Sequence, residues 1–453
     1  MNKLYAGFGR VDVTPMLGVS INGYYKVRNA EGVLDNLEIN ALALGCDDDK
    51  VLLLSIDNLG IPMDLMNTYR QHIAEVTGLP FEAILIHATH THTSASLRGS
   101  TMEDSPAKDL VMEYTRIVYH KMADVAVMAL ADMKPAKMGW AIGNAPNIAF
   151  VRRFRMKDGT CKTNPGVNNP EILHPIGDVD ERVNVLRFDQ EGGKSLVLVN
   201  FGDHPDTVGG NLISCDWPGF TRRVLEQSID NTRCIFFNGA QGDVNHVNVH
   251  PTGGYLNDMF MDFDDVARGY KHAQFMGRVV AGGVMQVYDK VYYRDVDSIR
   301  FVNKPLNVPA NVPDPADVPE AHRINDLHNA GKDCELPYEG MMLTTIVAEA
   351  ARMVRLENGP DSFHMHMAGI SIGPVAIVGI PGEPFTGIGR GLKLAEGWEL
   401  VLPMCNTNGA EGYFPMQDAY DEGGYEARTS NFKAGSAEFI IAEGTQMLDG
   451  LRG

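Results

Sequence analysis

The stretch AILIHATHTHTSA, residues 83–95, sets His90 and His92 two apart just after an apolar run, with His87 three residues before His90. A lone histidine at the end of a strand is ordinarily a hydrogen-bonded core residue. Here it has company. VLVNF runs into GDHPD, with Asp203, His204 and Asp206, and CIFF runs into NGAQGDVNH, with Asn238, Asp243, Asn245 and His246. VAIVGI runs into PGEPF, with Glu383, and ELVLP into MCNTNGAEGY, with Asn406, Asn408 and Tyr413. Each apolar run ends in a Gly- or Pro-marked turn that carries polar side chains. Ligands of α/β sheets bind beyond the carboxyl ends of strands, where such turns converge.

A metal site gives this set a chemical sense. Zinc accepts imidazole nitrogen and carboxylate oxygen, and a catalytic zinc keeps one position open. In an extended segment His90 and His92 would point to the same side, with Cα atoms about 6–7 Å apart. Either both reach one ion, or one ligates while the other works on the substrate. His204 and Glu383 offer ligands from other strands. A second divalent ion near Asp203, Asp206 and Asp243 is an alternative to those aspartates capping their own turns. His246 and His250 follow directly from a site loop and read as supporting or substrate-side residues. His364 and His366 alternate in SFHMHMAG and read as the wet face of a strand.

The elements that must position these groups follow from hydrophobic periodicity. Strands are predicted over 38–45, 51–56, 83–86, 183–188, 195–201, 234–237, 375–380 and 399–403. Helices are predicted over 63–77, 108–133, 221–228, 264–288, 340–356 and 434–448. Near-continuous apolar strands between helices predict an α/β protein with a mixed β-sheet core covered by helices, its metal site at strand C-terminal ends. The repeated prolines of 303–339 (NVPANVPDPADVPEA) interrupt helix and central strand alike. This divides the chain into an N-terminal part, 1–302, a connector or flap, 303–339, and a C-terminal part, 340–453, completing the same catalytic domain.

The composition narrows the function classes. The 453 residues carry 39 basic and 58 acidic side chains, a formal charge of −19, which disfavours nucleic acid and anionic membranes as partners. The six cysteines form no CxxC pair, against a zinc knot or disulfide framework. No apolar run approaches the roughly 18 residues of a membrane span, and no leader peptide is visible at the start. A cytoplasmic protein acting on a small molecule, without membrane insertion, is the expectation. Thr93 and Ser94 stand where a metallo-β-lactamase pattern needs Asp-His, and no GxSxG elbow exists for serine catalysis. GFGRVD is a lone glycine cluster rather than a phosphate loop.

The motifs GFGRVDVTP with NGYY, ATHTHTS, VRR, NFGDHP, GDVNH, PGEPF and NGAEGYFP…GGYEA, in that order, resemble the catalytic domain of the neutral (non-lysosomal) ceramidases, zinc-dependent amidases. The resemblance implies one Zn2+ held by His90, His204, Glu383 and Tyr413. It implies that His92 and Tyr425 contact the substrate carbonyl or carboxylate, that Arg152 is the pocket arginine, and that Gly23 makes a backbone contact in the pocket floor. Asp243 and His246 are expected on the substrate side. The family's GDVSP segment reads GDVNH here, so Asn245 replaces a serine implicated in catalysis and can only orient the scissile group or water. No counterpart of the family's C-terminal immunoglobulin-like domain is expected. The implied activity is hydrolysis of an amide, ester or lactone of a small soluble substrate. A non-catalytic metal or metabolite binder, or a metal-dependent lyase or carbohydrate-active enzyme, is the alternative.

Overall fold

The computed structural model describes residues 4–99, 102 and 104–452. The chain folds into two sheets packed face to face, with helices covering both outer faces. The larger sheet runs in the order Thr232–Asn238, Ser195–Phe201, Arg182–Gln190, Lys134–Asn144, Leu4–Asp12, Glu38–Cys46, Asp49–Ile56, Ile84–Ala88, and Tyr292–Arg294 pairs beside Lys134–Asn144. It is mixed: its two outermost pairs are parallel and the neighbouring pairs inside are antiparallel. The smaller sheet is Ile299–Pro309, Ser362–Ile372, Val375–Gly379, Leu400–Met404, whose last pair is parallel.

Alternation along the strands explains the layering. In Glu38–Cys46, Leu42 and Leu44 face the second sheet, joining Phe188, Phe237, Ile370, Ile377 and Leu402 in the inter-sheet core. Ile39, Ala41 and Ala43 face the opposite way, onto the helices Met63–Thr77 and Pro106–Ala131. At the other end of the large sheet Val185, Val199 and Phe236 pack on Asp216–Ser228 and Tyr270–Val287. Ser436–Leu451 and Thr386–Leu392 cover the smaller sheet. Central strands such as Glu38–Cys46, Asp49–Ile56 and Ser195–Phe201 are therefore buried on both faces, which is why they read as near-continuous apolar runs. The α/β architecture expected from the sequence is the one found.

Several elements differ from the periodicity reading. The GFGRVD cluster lies in the strand Leu4–Asp12, and its glycines answer to packing. A Cβ on Gly7 would sit 2.2 Å from the Ala129 carbonyl oxygen, so the helix Pro106–Ala131 lies directly on that backbone. Within 303–339 the first residues complete the strand Ile299–Pro309, and Val318–Asn329 is a helix. The prolines are accommodated because that strand is the sheet's outer one and Pro319 falls in the helix's first turn. The helix predicted from residue 221 begins at Asp216, since Pro218 sits in a first turn where no amide partner is lost. The one predicted from 264 begins at Tyr270. His364 and His366 lie on the exposed face of Ser362–Ile372, as expected.

The tightest helix-on-sheet contact is at Gly143, where a Cβ would lie 2.0 Å from the Gly283 carbonyl oxygen. Gly143→Ala must lift Tyr270–Val287 off the sheet. We expect a loss of about 1–3 kcal/mol in urea unfolding, and an unchanged midpoint would contradict this packing account.

Candidate metal centre

The C-terminal ends of strands from both sheets meet at one place. Ile84–Ala88 ends just before His90, whose backbone turns into the left-handed region at φ 78°. Such a conformation is costly for a residue with a β-carbon and persists only when surrounding bonds impose it. They do: His90 N–H donates to the Asn58 carbonyl at 2.8 Å, and Thr89 N–H to that of Ile56 at 2.9 Å. The turn, rather than strand alternation, brings His92 Nε2 within 3.4 Å of His90 Nε2. The extended geometry expected for this pair is not the one present.

His204, after Ser195–Phe201, places its Nε2 3.3 Å from that of His90. Glu383 and Tyr413 arrive side by side, because Glu383–Pro384 and Tyr413–Phe414 form a short parallel ladder. A Glu383 carboxylate oxygen lies 3.2 Å from His90 Nε2 and 3.4 Å from His204 Nε2. The Tyr413 hydroxyl is 3.5 Å from His204 Nε2. Among the described residues, His90, His92 and His204 are the one gathering of three His, Cys or carboxylate side chains able to share an ion.

These spacings fit a metal. Four donors about 2.0–2.1 Å from a shared tetrahedral ion lie about 3.3–3.4 Å from one another. The tautomers fit too. His90 Nδ1–H donates to the Leu59 carbonyl at 2.6 Å and His204 Nδ1–H to the Gln241 carbonyl at 3.0 Å, so each turns Nε2 to the centre. Burial opposes protonation of His90, but Glu383 outweighs it and raises that imidazole's pKa. Burial pushes the His204 imidazole down to about 3, with Arg152 adding to the effect. Burial opposes ionisation of Glu383, but His90, His204 and Arg152 outweigh it and hold the carboxyl far below its usual range. His92 differs: its Nδ1 is buried without a hydrogen-bond partner, so nothing fixes its tautomer as a ligand's is fixed.

Arg152 is almost wholly buried. Its guanidinium carbon lies 5.4 Å from the centre of the Tyr413 ring, and it donates from Nη2 to the Gly242 carbonyl at 2.8 Å and pairs through Nε with Glu426 at 2.6 Å. Tyr425 stands 5.8 Å from Tyr413, ring to ring. Gly23, at φ 112°, presses against His92: a Cβ there would lie 2.8 Å from the His92 Cβ.

Other expected residues point elsewhere. Asp243 accepts from Thr386 N–H at 2.6 Å and Thr386 Oγ1 at 2.9 Å. His246 bonds Asp206 at 3.1 Å and donates from Nε2 to the Ala267 carbonyl at 2.6 Å. Asn245 donates to Asn164 Oδ1 at 3.1 Å and accepts from Val247 N–H at 3.1 Å. Asp203 is buried with neither carboxylate oxygen partnered, and burial with the nearby Asp206 pushes its carboxyl well up.

The sequence reading passed over Glu426, Gln241 and the Leu59 carbonyl. Glu426 is fully buried, bonded to Arg152 and at 3.0 Å to Thr163, and its only sequence signal is its place beside Tyr425 in GGYEA. Gln241 donates to the Glu383 carboxylate at 3.2 Å. Asn238, at the end of Thr232–Asn238, donates to the Asp203 carbonyl at 2.9 Å and the Thr89 carbonyl at 3.3 Å, tying together the loops that carry His204 and His90. His87 supports it, accepting the Asn238 N–H at 3.0 Å.

No protein-family model matches the sequence, and no curated protein matches it. Among solved structures, the fold is similar to neutral ceramidase from Pseudomonas aeruginosa, with a TM-score of 0.72 and 14% identity. The similarity spans 100% of this chain and 75% of that one. A ceramidase complexed with C2 is similar at a TM-score of 0.70 and 14% identity, over 100% of this chain and 76% of the other. The chain thus has a divergent ceramidase-like fold.

Glu426→Ala would strand a buried guanidinium. We expect a loss of about 3–5 kcal/mol in denaturant unfolding, larger than that of Glu426→Gln. Equal stability of Glu426→Ala and the parent would contradict the pairing.

Proposed function

We propose that the chain is a metal-dependent hydrolase acting on a linear amide bond, or an ester or lactone, of a small substrate, with zinc as the resident ion. The observation that carries the reading is the buried donor set His90, His204, Glu383 and Tyr413, with His92 and Tyr425 beside it and not needed to complete it. When bound, the ion would supply Lewis acidity toward a carbonyl and lower the pKa of a coordinated water. The ceramidase-like fold supports the same class of reaction.

The chain's own residues then have separate tasks. The positive charge of Arg152 beside the Tyr413 ring favours the electron-rich phenolic oxygen a ligand needs. Tyr425, whose backbone is tied to Thr163, donates a hydrogen bond to the carbonyl oxygen as charge gathers there. His92 takes a proton at Nε2 when water adds to the carbonyl and delivers it to the leaving nitrogen. Water adds to carbon, the C–N bond breaks, and carboxylic acid and amine leave. Gly23 keeps His92 in place by leaving no room for it to retreat. Asn245 holds Asn164 rather than attacking the substrate, and Asp243 and His246 brace the loops behind the substrate.

A panel of N-acyl compounds, esters and lactones, run with and without chelator, tests this. We expect turnover that chelator abolishes and zinc restores, and His90→Ala and His204→Ala proteins that retain neither metal nor activity. His92→Ala should keep its metal while kcat falls by about 10²–10⁴-fold. Chelator-insensitive turnover, or His90→Ala protein with stoichiometric zinc, would overturn the assignment.

A further inference from the structure

A cleft of about 190 Å3 opens beside Tyr425, between the strand Cys161–Thr163 with the turn after it and the start of the helix Gly340–Leu356. It is joined to the candidate site by hydrogen bonds. Tyr425 N–H donates to Thr163 Oγ1 at 3.2 Å, and Asn164 N–H to the Arg152 carbonyl at 2.8 Å. Asn245, at the position where the resemblance expects a serine, donates to Asn164 Oδ1. The departure from the expected motif therefore lies directly behind Asn164, which lines the cleft.

The lining is of mixed character. Lys162 stands on one wall and Asp265 and Glu339 on another, and none of the three makes an ion pair among the described residues. Asn164 has its Oδ1 taken by Asn245, which leaves its Nδ2 for the cleft it lines. Met341 and Met342 add a flexible apolar strip.

A ligand of one charge sign would meet a repulsive wall. An alkyl chain would cover Lys162, Asp265 and Glu339 without replacing their hydration. Hydroxyl groups both donate and accept, so neighbouring hydroxyls can donate to the carboxylates while accepting from Lys162 and Asn164. The C–H face of the same group can rest on the methionines.

We propose that this cleft is a substrate subsite of the candidate hydrolase and that it takes an uncharged polyhydroxylated group, such as a sugar ring or short polyol, rather than an alkyl chain. This rests on the hydrolase reading for its role in turnover, but not for binding.

The test uses the full chain loaded with zinc. kcat/KM is measured for N-acetylglucosamine, N-acetylcyclohexylamine and N-hexadecylacetamide, and binding of N-acetylglucosamine is followed separately by saturation-transfer NMR. We expect the hydroxylated amide to be favoured by at least about tenfold, and E339Q and K162M each to cut that preference by about threefold or more. M342W, at an exposed rim position, should block the cleft and abolish the NMR signal. Alkyl amides turned over as well as or better than the sugar amide, or a preference unmoved by both variants, would overturn the subsite. If no amide is hydrolysed but N-acetylglucosamine binds and M342W abolishes binding, the hydrolase reading falls and the polyol site stands. Absence of both binding and sugar-amide turnover removes the proposal.

Discussion

Everything at the candidate site answers to one constraint: imidazole nitrogens and a carboxylate oxygen are held 3.2–3.4 Å apart in a largely buried place. With the Nδ1 protons of His90 and His204 engaged by backbone carbonyls, their Nε2 atoms face each other and an ionised Glu383. Burial opposes protonation of His90, but Glu383 outweighs it and raises that imidazole's pKa, so a proton at His90 Nε2 pairs with the carboxylate when no cation is present. A divalent cation would displace that proton and take these atoms as ligands, which is why the arrangement suits a preorganised binding site.

The fold supplies the force that holds these groups together. Asn238 binds the carbonyls that precede His90 and His204, so a single buried carboxamide ties their loops together. The Asp57–Arg222 pair, at 2.6 Å, anchors the turn whose Asn58 and Leu59 carbonyls orient His90. Asn408 exchanges hydrogen bonds with Ile86, so the smaller sheet's loop covers the outermost strand of the larger one. That contact protects a sheet edge and at the same time brings Tyr413 and Glu383 to the histidines.

The apolar strands and the polar turns that follow them were legible because both obey local rules: buried strands are continuous runs, and functional turns carry Gly, Pro and side chains with lone pairs. The side-by-side arrival of Glu383 and Tyr413 was not, because it depends on a ladder between segments about thirty residues apart. Nor was the turn at His90, since only tertiary hydrogen bonds impose a positive φ on a histidine. Glu426 escaped for a similar reason: nothing local distinguishes a glutamate that will neutralise a buried arginine from one facing water. The strand Leu4–Asp12 was hidden by glycines that serve helix packing, and the strand Ile299–Pro309 by prolines that only an outer strand tolerates. The resemblance to neutral ceramidases drew on ordered motifs, and the fold agrees with it at 14% identity.

The central claim is that these donors are a metal centre. Crystals grown with zinc, with anomalous data collected on both sides of the zinc absorption edge, test it directly. The account predicts one strong peak about 2.0–2.2 Å from His90 Nε2, His204 Nε2 and the Glu383 carboxylate, with the Tyr413 oxygen completing the set. A peak held by other residues, or no peak with these side chains hydrogen-bonded to one another, would contradict it.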